Sequence, residues 1–246
     1  MKGVLRYIHG VIFWIIVFFW SITIYSISYL AVFFVRDERD KNRIYQKWAK
    51  LWGSVLADAA LIKVTVSGLE NIPADRAVIF TPNHQSFLDI FVLLKILPPS
   101  FRFVVMRSLF KVPVIGPFIT RAGFVSMDRK DRKKTIVAIH HVIDLLKDNE
   151  SFVIFPEGKL TKDGTIGEFG RGTSIIIQRS KAPVVPIAID GTFAALPKGA
   201  WMLNPGKVTV KIGKPVNFEN YHDEVNKSRS LELGSKLREI VVGLKG

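Results

Sequence analysis

A histidine and an aspartate stand five residues apart in PNHQSFLD, Pro82 to Asp89. If the chain turns into a helix near Ser86, a fair N-cap, Asp89 sits about one turn inside, and a histidine in the preceding loop can fold back onto it. A carboxylate so placed fixes the tautomer of His84 and stabilises the imidazolium once the base has taken a proton. The same spacing fits an ordinary loop histidine beside an unrelated helix cap, so the pair needs support from elsewhere in the chain. A second stretch, FVIFPEGKL from Phe152 to Leu160, places Glu157 and Gly158 straight off an apolar run. Pro156 and Gly158 bracket a tight turn, and Gly158 permits close approach of a ligand. GFVSMDRK carries Arg129 just beyond a third run, and VVPIAI is an apolar run interrupted by Pro186.

These stretches need a scaffold, and the chain supplies one from residue 63 onward. Strands are predicted at Lys63–Ser67, Ala77–Thr81, Arg102–Met106, Gly123–Met127, Ser151–Phe155, Val184–Ile189 and Lys207–Ile212. Helices are predicted at Ser86–Leu97, Asp131–Asp148, Gly172–Arg179 and Asp223–Leu244, the second with an apolar face at Ile136, Ile139, Ile143 and Leu146. Pro113 and Pro117 break up the region between the third and fourth strands. This alternation argues an α/β sheet with helices on both faces. His84 then lies at the C-terminal end of a strand, where such sheets place ligands.

Residues 1–62 read differently and form a separate, membrane-anchoring region ahead of the domain at 63–246. Val11 to Val35 contains no Asp, Glu, Lys or Arg, long enough at ~1.5 Å per residue for a ~30 Å hydrocarbon layer. Ser21, Thr23, Ser26 and Ser28 interrupt its second half. Ile44, Trp48, Leu51, Val55 and Ile62 then recur at helical spacing opposite Lys47, Lys50, Ser54 and Asp58, the pattern of an interfacial helix or of one packed on the domain. A single span and a two-helix hairpin immersed in one leaflet both fit. Lys2 and Arg6 precede the apolar run and Arg36, Arg39, Lys41 and Arg43 follow it, a balance that puts the following domain on the cytoplasmic side of the membrane. Net charge is +14 and hydrophobic residues make up 48% of the 246. The two together favour an anionic membrane surface over nucleic acid. There are no cysteines, which excludes disulfides, thiolate metal sites and a cysteine nucleophile.

In order, Asn83-His84-x4-Asp89, the Gly123…Asp128-Arg129 block, Phe155-Pro156-Glu157-Gly158 and Val184-Val185-Pro186-Ile187 resemble the four blocks of the glycerolipid acyltransferase family. The subgroup they look most like is that of the 1-acylglycerol-3-phosphate (lysophosphatidic acid) acyltransferases. The resemblance implies a mixed β-sheet flanked by helices, glycerol-3-phosphate acyltransferase-like, preceded by an N-terminal membrane-associated helical segment. It also implies acyl transfer from acyl-carrier protein or acyl-CoA to the sn-2 hydroxyl of a lysophosphatidate in the membrane. His84 would be the general base, Asp89 its orienter and Arg129 the ligand of the acceptor phosphate, and the Glu157–Gly158 turn would shape the acceptor site. Such chemistry calls for no cofactor, no metal and no enzyme nucleophile.

The chain departs from the pattern at three places. Where the family continues Thr-Arg-Ser after the glycine, it has Lys159-Leu160-Thr161, so the basic charge has either moved to Lys159 or left the site. Where a Phe-Lys-x-Gly block follows, it has Phe169-Gly170-Arg171-Gly172, with Arg171 as the substitute one position on. A lysine common before the proline-rich turn aligns with Met106, beside Arg107. Two other readings stand beside this one: an acyltransferase for another lysolipid, and a basic, non-enzymatic membrane-surface binding protein.

Overall fold

The computed structural model describes residues 3–128, 130–222 and 225–246. Its helices are α1 (Gly3–Ala31), α2 (Glu38–Ala59), α3 (Leu88–Ile96), α4 (Ile115–Arg121), α5 (Arg132–Lys147), α6 (Arg171–Ser180), the single turn α7 (Thr192–Ala195) and α8 (Lys227–Lys245). The strands are β1 (Ile62–Ser67), β2 (Ile79–Pro82), β3 (Phe101–Met106), β4 (Val125–Met127), β5 (Ser151–Val153), β6 (Val184–Asp190) and β7 (Gly206–Ile212). They form one sheet in the order β1-β7-β6-β2-β5-β3-β4. Only the β6–β7 pair is antiparallel, so the sheet is mixed, as the resemblance implied.

The central strands are apolar on both faces because both faces are covered. On one side Phe80, Val153, Val185 and Ile187 pack with Leu56 of α2, Leu88 and Phe91 of α3 and Phe118 of α4. On the other, Ile79, Phe152, Val184 and Ala188 pack with Ile139 and Val142 of α5, Ile176 of α6 and Leu233 and Leu237 of α8. Asp37, Asp131 and Asn226 cap α2, α5 and α8 by accepting from the backbone three residues on. The last helix, predicted from Asp223, therefore begins at Lys227; residues 223 and 224 lie outside the described residues.

The N-terminal pair is a hairpin laid along the domain. α2 turns Tyr45, Ala49, Gly53 and Leu56 inward; of the predicted stripe, Ile44 and Trp48 pack on the edge of this face and Leu51 is exposed. The small residues decide this: a Cβ on Gly53 would stand 2.4 Å from Leu94 Cβ, so only glycine lets α2 meet α3 so closely. Ile62 is no part of the helix and opens β1. α1 lies against α2 and the domain over most of its length. His9 Nε2 is 2.9 Å from the carbonyl of Ala59, Trp14 Nε1 donates to the carbonyl of Trp201 at 2.8 Å, and Phe13 packs on Phe91. Farther along, Trp52 Nε1 donates to Ser21 Oγ at 3.0 Å, and the Arg121 guanidinium sits over Tyr25 and Tyr29. α1 is long and apolar enough to cross a membrane. Its outer face exposes Val4, Phe18, Phe19 and Leu30, and the following turn exposes Phe33 and Phe34, the last 90% exposed. So much contiguous apolar surface is compatible with membrane association.

Candidate active site

β2 and β5 are neighbours, yet the chain leaves them for opposite faces, β2 into α3 and β5 into α6. Such a divergence opens a crevice beyond the carboxyl ends of the strands. His84 follows β2 and Glu157 follows β5, so the two motif stretches meet there. Pro82 offers no backbone donor, and Asn83 takes over the ladder with its side chain. Its Nδ2 donates to the carbonyl of Ile189 at 2.9 Å and its Oδ1 accepts from the Ile189 amide at 2.7 Å. Asn83 thereby ties the end of β2 to β6 just before the histidine.

His84 is then fixed from every side. Its amide donates to Glu157 Oε1 at 2.8 Å and its carbonyl accepts from the Thr161 amide at 3.0 Å. Its ring stacks on Phe155, with centroids 3.8 Å apart and planes at 20°. Nδ1 lies 2.9 Å from Asp89 Oδ2. Asp89, fully buried, also accepts from the amides of Gln85 and Ser86 at 2.7 and 2.9 Å. An ionised carboxylate can only accept, so Nδ1 is the donor and the lone pair falls on Nε2, the tautomer a base requires. Ser86 is not the N-cap the sequence suggested: α3 begins at Leu88 with Phe87 in the cap position and no side-chain cap bond, and the Ser86 hydroxyl instead accepts from the Leu88 amide at 3.2 Å in the turn just ahead of the helix.

Glu157 shapes the site through the backbone. Oε1 holds the His84 amide and Oε2 accepts from the Gly167 amide at 2.9 Å. Burial pushes its carboxyl above the usual range, against the pull of those two amides. The turn predicted around Gly158 is present: Gly158 has φ +62° and its amide donates to the carbonyl of Phe155. Gln85 Nε2 donates to the carbonyl of Gly164 at 2.8 Å, so the glycine-rich loop is fastened to both motif segments.

His84, Glu157, Gly158 and Lys159 all line one cleft of about 490 Å³. Among its other walls are Ile90, Val105, Leu109 and Ile176, and Arg132 and Thr135 from the first turn of α5. Arg132 and Thr135 are absent from the sequence reading; the signal was present in the basic run Lys130 to Lys134, but only the fold shows which of its members turns inward. Gly170, the N-cap of α6, and Gly172 border the cleft, whereas Arg171 does not. Successive residues of a helical turn point about 100° apart, and the Arg171 side chain is exposed rather than part of the cleft wall. Met106 lines the cleft while its neighbour Arg107 pairs with Asp128 at 3.0 Å. Arg129 lies outside the described residues. Beside the cleft, and sharing Phe87, Ile90, Val105 and Leu109 with it, is an apolar chamber of about 70 Å³ that runs under Ile24 of α1, Trp52 of α2 and Phe118 of α4. Among the described residues no cluster of three His, Cys, Asp or Glu side chains could hold a metal ion.

A buried carboxylate holding a histidine in the wall of a largely apolar cleft, with Arg132 and Lys159 in the same wall, is chemically able to activate a hydroxyl. A family model described as Acyltransferase matches residues 63–190, and the chain belongs to that family. It is 35% identical over 192 residues to the chloroplastic 1-acyl-sn-glycerol-3-phosphate acyltransferase LPAT1 of Arabidopsis thaliana, over 77% of this chain and 53% of that protein. To the 1-acyl-sn-glycerol-3-phosphate acyltransferase of Saccharomyces cerevisiae it is 32% identical over 184 residues, 74% of this chain and 59% of the other. The chain thus spans about half the length of curated relatives it matches. The crystal structure of the 1-acyl-sn-glycerophosphate (LPA) acyltransferase PlsC from Thermotoga maritima superposes with a TM-score of 0.84 at 27% identity, over 99% of this chain and 96% of that one.

Proposed function

We propose that this chain transfers an acyl group from an acyl thioester, carried on acyl-carrier protein or coenzyme A, to the sn-2 hydroxyl of 1-acyl-sn-glycerol-3-phosphate, giving phosphatidic acid. The observation that carries the reading is the Asp89-held His84 lining a largely apolar cleft whose wall also carries Arg132 and Lys159. In this reading His84 Nε2 takes the proton of the sn-2 hydroxyl as its oxygen attacks the thioester carbon. The tetrahedral adduct collapses, the C–S bond breaks, and the proton on His84 passes to the departing thiolate. Asp89 holds the imidazolium in between. No enzyme nucleophile is required, because the acceptor attacks directly.

The acceptor phosphate falls to the basic residues. Arg129 follows β4 in sequence and Arg132 and Lys159 line the cleft. Arg132 and Lys159 have no hydrogen-bond or ion-pair partner among the described residues. A guanidinium holds a phosphate monoester bidentately, and an ammonium adds a point charge. The apolar chamber beside the cleft takes part of an acyl chain. The hairpin puts the cleft at head-group level. α1 is packed on the domain from His9 to Tyr29, so its free apolar face supports a helix lying in one leaflet rather than standing clear as a span. Because α2 covers one face of the sheet, the test is made on the outer face of α1: Phe18→Ser, Phe19→Ser and Leu30→Ser together, all exposed, are expected to lower activity on bilayer substrate far more than on a dispersed short-chain acceptor.

The test is an acceptor panel assayed with labelled acyl-carrier protein and acyl-CoA donors. Lysophosphatidate should be the preferred acceptor and His84→Ala should be inactive. Preference for a lysophospholipid bearing a head-group diester would establish the remodelling reading instead, and absence of transfer from either donor would leave a membrane-binding protein.

A further inference from the structure

A second polar pocket, of about 300 Å³, opens where the hairpin turns. It shares no lining residue with the catalytic cleft. Its walls come from the end of α1, the first two turns of α2 and the end of α4. Between this pocket and the apolar chamber stands an edge-to-face pair, Tyr45 and Phe118, with ring centroids 5.8 Å apart.

The groups in the pocket match an anion. Lys41 is paired with Glu38 at 2.6 Å, which leaves the charge of Arg121 uncompensated. That guanidinium makes one long bond, 3.4 Å, to the carbonyl of Pro117 in its own helix, and rests over the faces of Tyr25 and Tyr29 at 5.7 and 5.6 Å. Stacked on two rings, it keeps its fork of donors for a ligand. Tyr45 is 1% exposed, lines the pocket, and its hydroxyl has no hydrogen-bond partner. A buried hydroxyl without a partner is costly unless a ligand completes it. Burial raises the pKa of this hydroxyl and the charge of Arg121 acts on it in the opposite sense, so it lies within the guanidinium's field and remains a donor at neutral pH. Arg121 is exposed, and a swing of its long side chain admits an oxyanion to both groups. The wall also holds Glu38, whose charge Lys41 meets, and the buried Val32, while Phe33 beside them is exposed and Phe34 beyond is 90% exposed.

We propose that this pocket holds the phosphate of an anionic phospholipid in the leaflet that receives the hairpin, apart from the acceptor used at His84. The exposed apolar side chains at the pocket decide for a lipid over a free phosphate, since the acyl chains of a lipid would lie against Phe33 and Phe34 while its phosphate meets Arg121 and Tyr45. The site rests on the one-leaflet placement of α1, and would let the enzyme choose the charge of the membrane it works on.

The experiment is flotation of the full chain with vesicles of phosphatidylcholine alone and of phosphatidylcholine containing phosphatidylglycerol. Variants are Tyr45→Phe, Arg121→Gln and, on the far side of the sheet, Lys147→Gln. The wild type is expected to prefer the anionic vesicles. Tyr45→Phe, which changes no charge, and Arg121→Gln should each cut that preference by about fivefold, and Lys147→Gln by much less. Binding to phosphatidylcholine alone should be unchanged in all three. Thermal unfolding of Tyr45→Phe should occur at or above the wild-type temperature, because the lost hydroxyl was buried without a partner. Full preference in Tyr45→Phe and Arg121→Gln, or an equal loss in Lys147→Gln, would overturn the site in favour of diffuse surface charge. Abolition of the preference by soluble glycerol 3-phosphate would overturn the lipid as its occupant. Failure of the wild type to float with phosphatidylcholine would show separately that the placement of α1 is wrong, and would remove the site with it.

Discussion

On the β2 side of the cleft, His84 is bonded through its amide, its carbonyl and its ring nitrogen, and Asp89 behind it through three donors. On the α5 side, Arg132 is exposed and unpaired, as is Lys159 at the entrance. In the proposed reaction the difference follows from what each wall would have to do. A base must meet a proton within a fraction of an ångström, and a misplacement of ~1 Å can cost about a hundredfold in rate. A phosphate on a lipid that wobbles in a bilayer can be met by long side chains that follow it. Rigidity is concentrated where bonds change, and freedom is kept where charge is merely neutralised.

The contrast can be broken most severely at His84. His84→Ala should lower transfer by ~10²–10⁴-fold or more, with the circular dichroism spectrum unchanged; near-normal turnover would remove the base assignment. Asp89→Asn should leave more residual activity than His84→Ala in the same labelled-acyl assay. Next comes Glu157→Gln. An amide nitrogen cannot accept from a backbone N–H, so one of the two clamps on His84 and Gly167 becomes a clash of donors. The turnover number should fall by roughly ten- to a hundredfold with little change in the Michaelis constant for the acceptor, and stability should drop by about 1–3 kcal/mol. An acceptor Michaelis constant that rises while turnover holds would place Glu157 on the substrate instead.

The basic wall should respond in the opposite sense. Arg132→Gln and Lys159→Gln are each expected to raise the acceptor Michaelis constant by about five- to tenfold with turnover nearly intact, at ~1–1.5 kcal/mol per charged contact. Arg129→Lys should act on the acceptor more than on the donor. A donor-selective defect in any of the three would move it out of the phosphate site. The smallest effect concerns the loop between the walls. Asp163 accepts from Thr161 and Thr165, which holds its carboxyl down at about 2. Its contribution is therefore present above pH ~4, the ordinary carboxylate range, and is lost as the pH falls through about 2. Hydrogen exchange of the loop amides should rise over that window in the wild type and be already raised, and flat with pH, in Asp163→Asn.

All seven strands were legible as β-branched runs, because central strands buried on both faces have little choice of composition. α4 was not, because Pro113 and Pro117 read as breakers. Pro117 in fact occupies the first turn of α4, where a missing N–H costs nothing. At the site, His84 and Asp89 are five residues apart and could be paired by local spacing. Asn83 with Ile189, and Glu157 with the His84 amide, join segments remote in sequence, and nothing in local composition marks them. For Arg171 the place in the motif was legible, but not that helix phase leaves its side chain exposed while Gly170 and Gly172 border the cleft. The inward face of α2 was misread because large apolar residues announce themselves while Ala49 and Gly53, which permit contact, do not.

β1 joins the N-terminal hairpin to the sheet, and its one strand neighbour is β7, with Ile62 opposite Gly206. At about 5–20 residues per second of synthesis, roughly seven to thirty seconds separate the emergence of these two positions. Trp201, on which α1 docks through Trp14, is equally late. For that interval the apolar helix has neither its strand anchor nor its docking loop, while lipid offers it a place at once. If α1 enters lipid as proposed, the order of the chain favours immersion of the hairpin first and assembly of the domain against it afterwards. Translation in the presence of vesicles should accordingly yield more folded enzyme than vesicles added after synthesis.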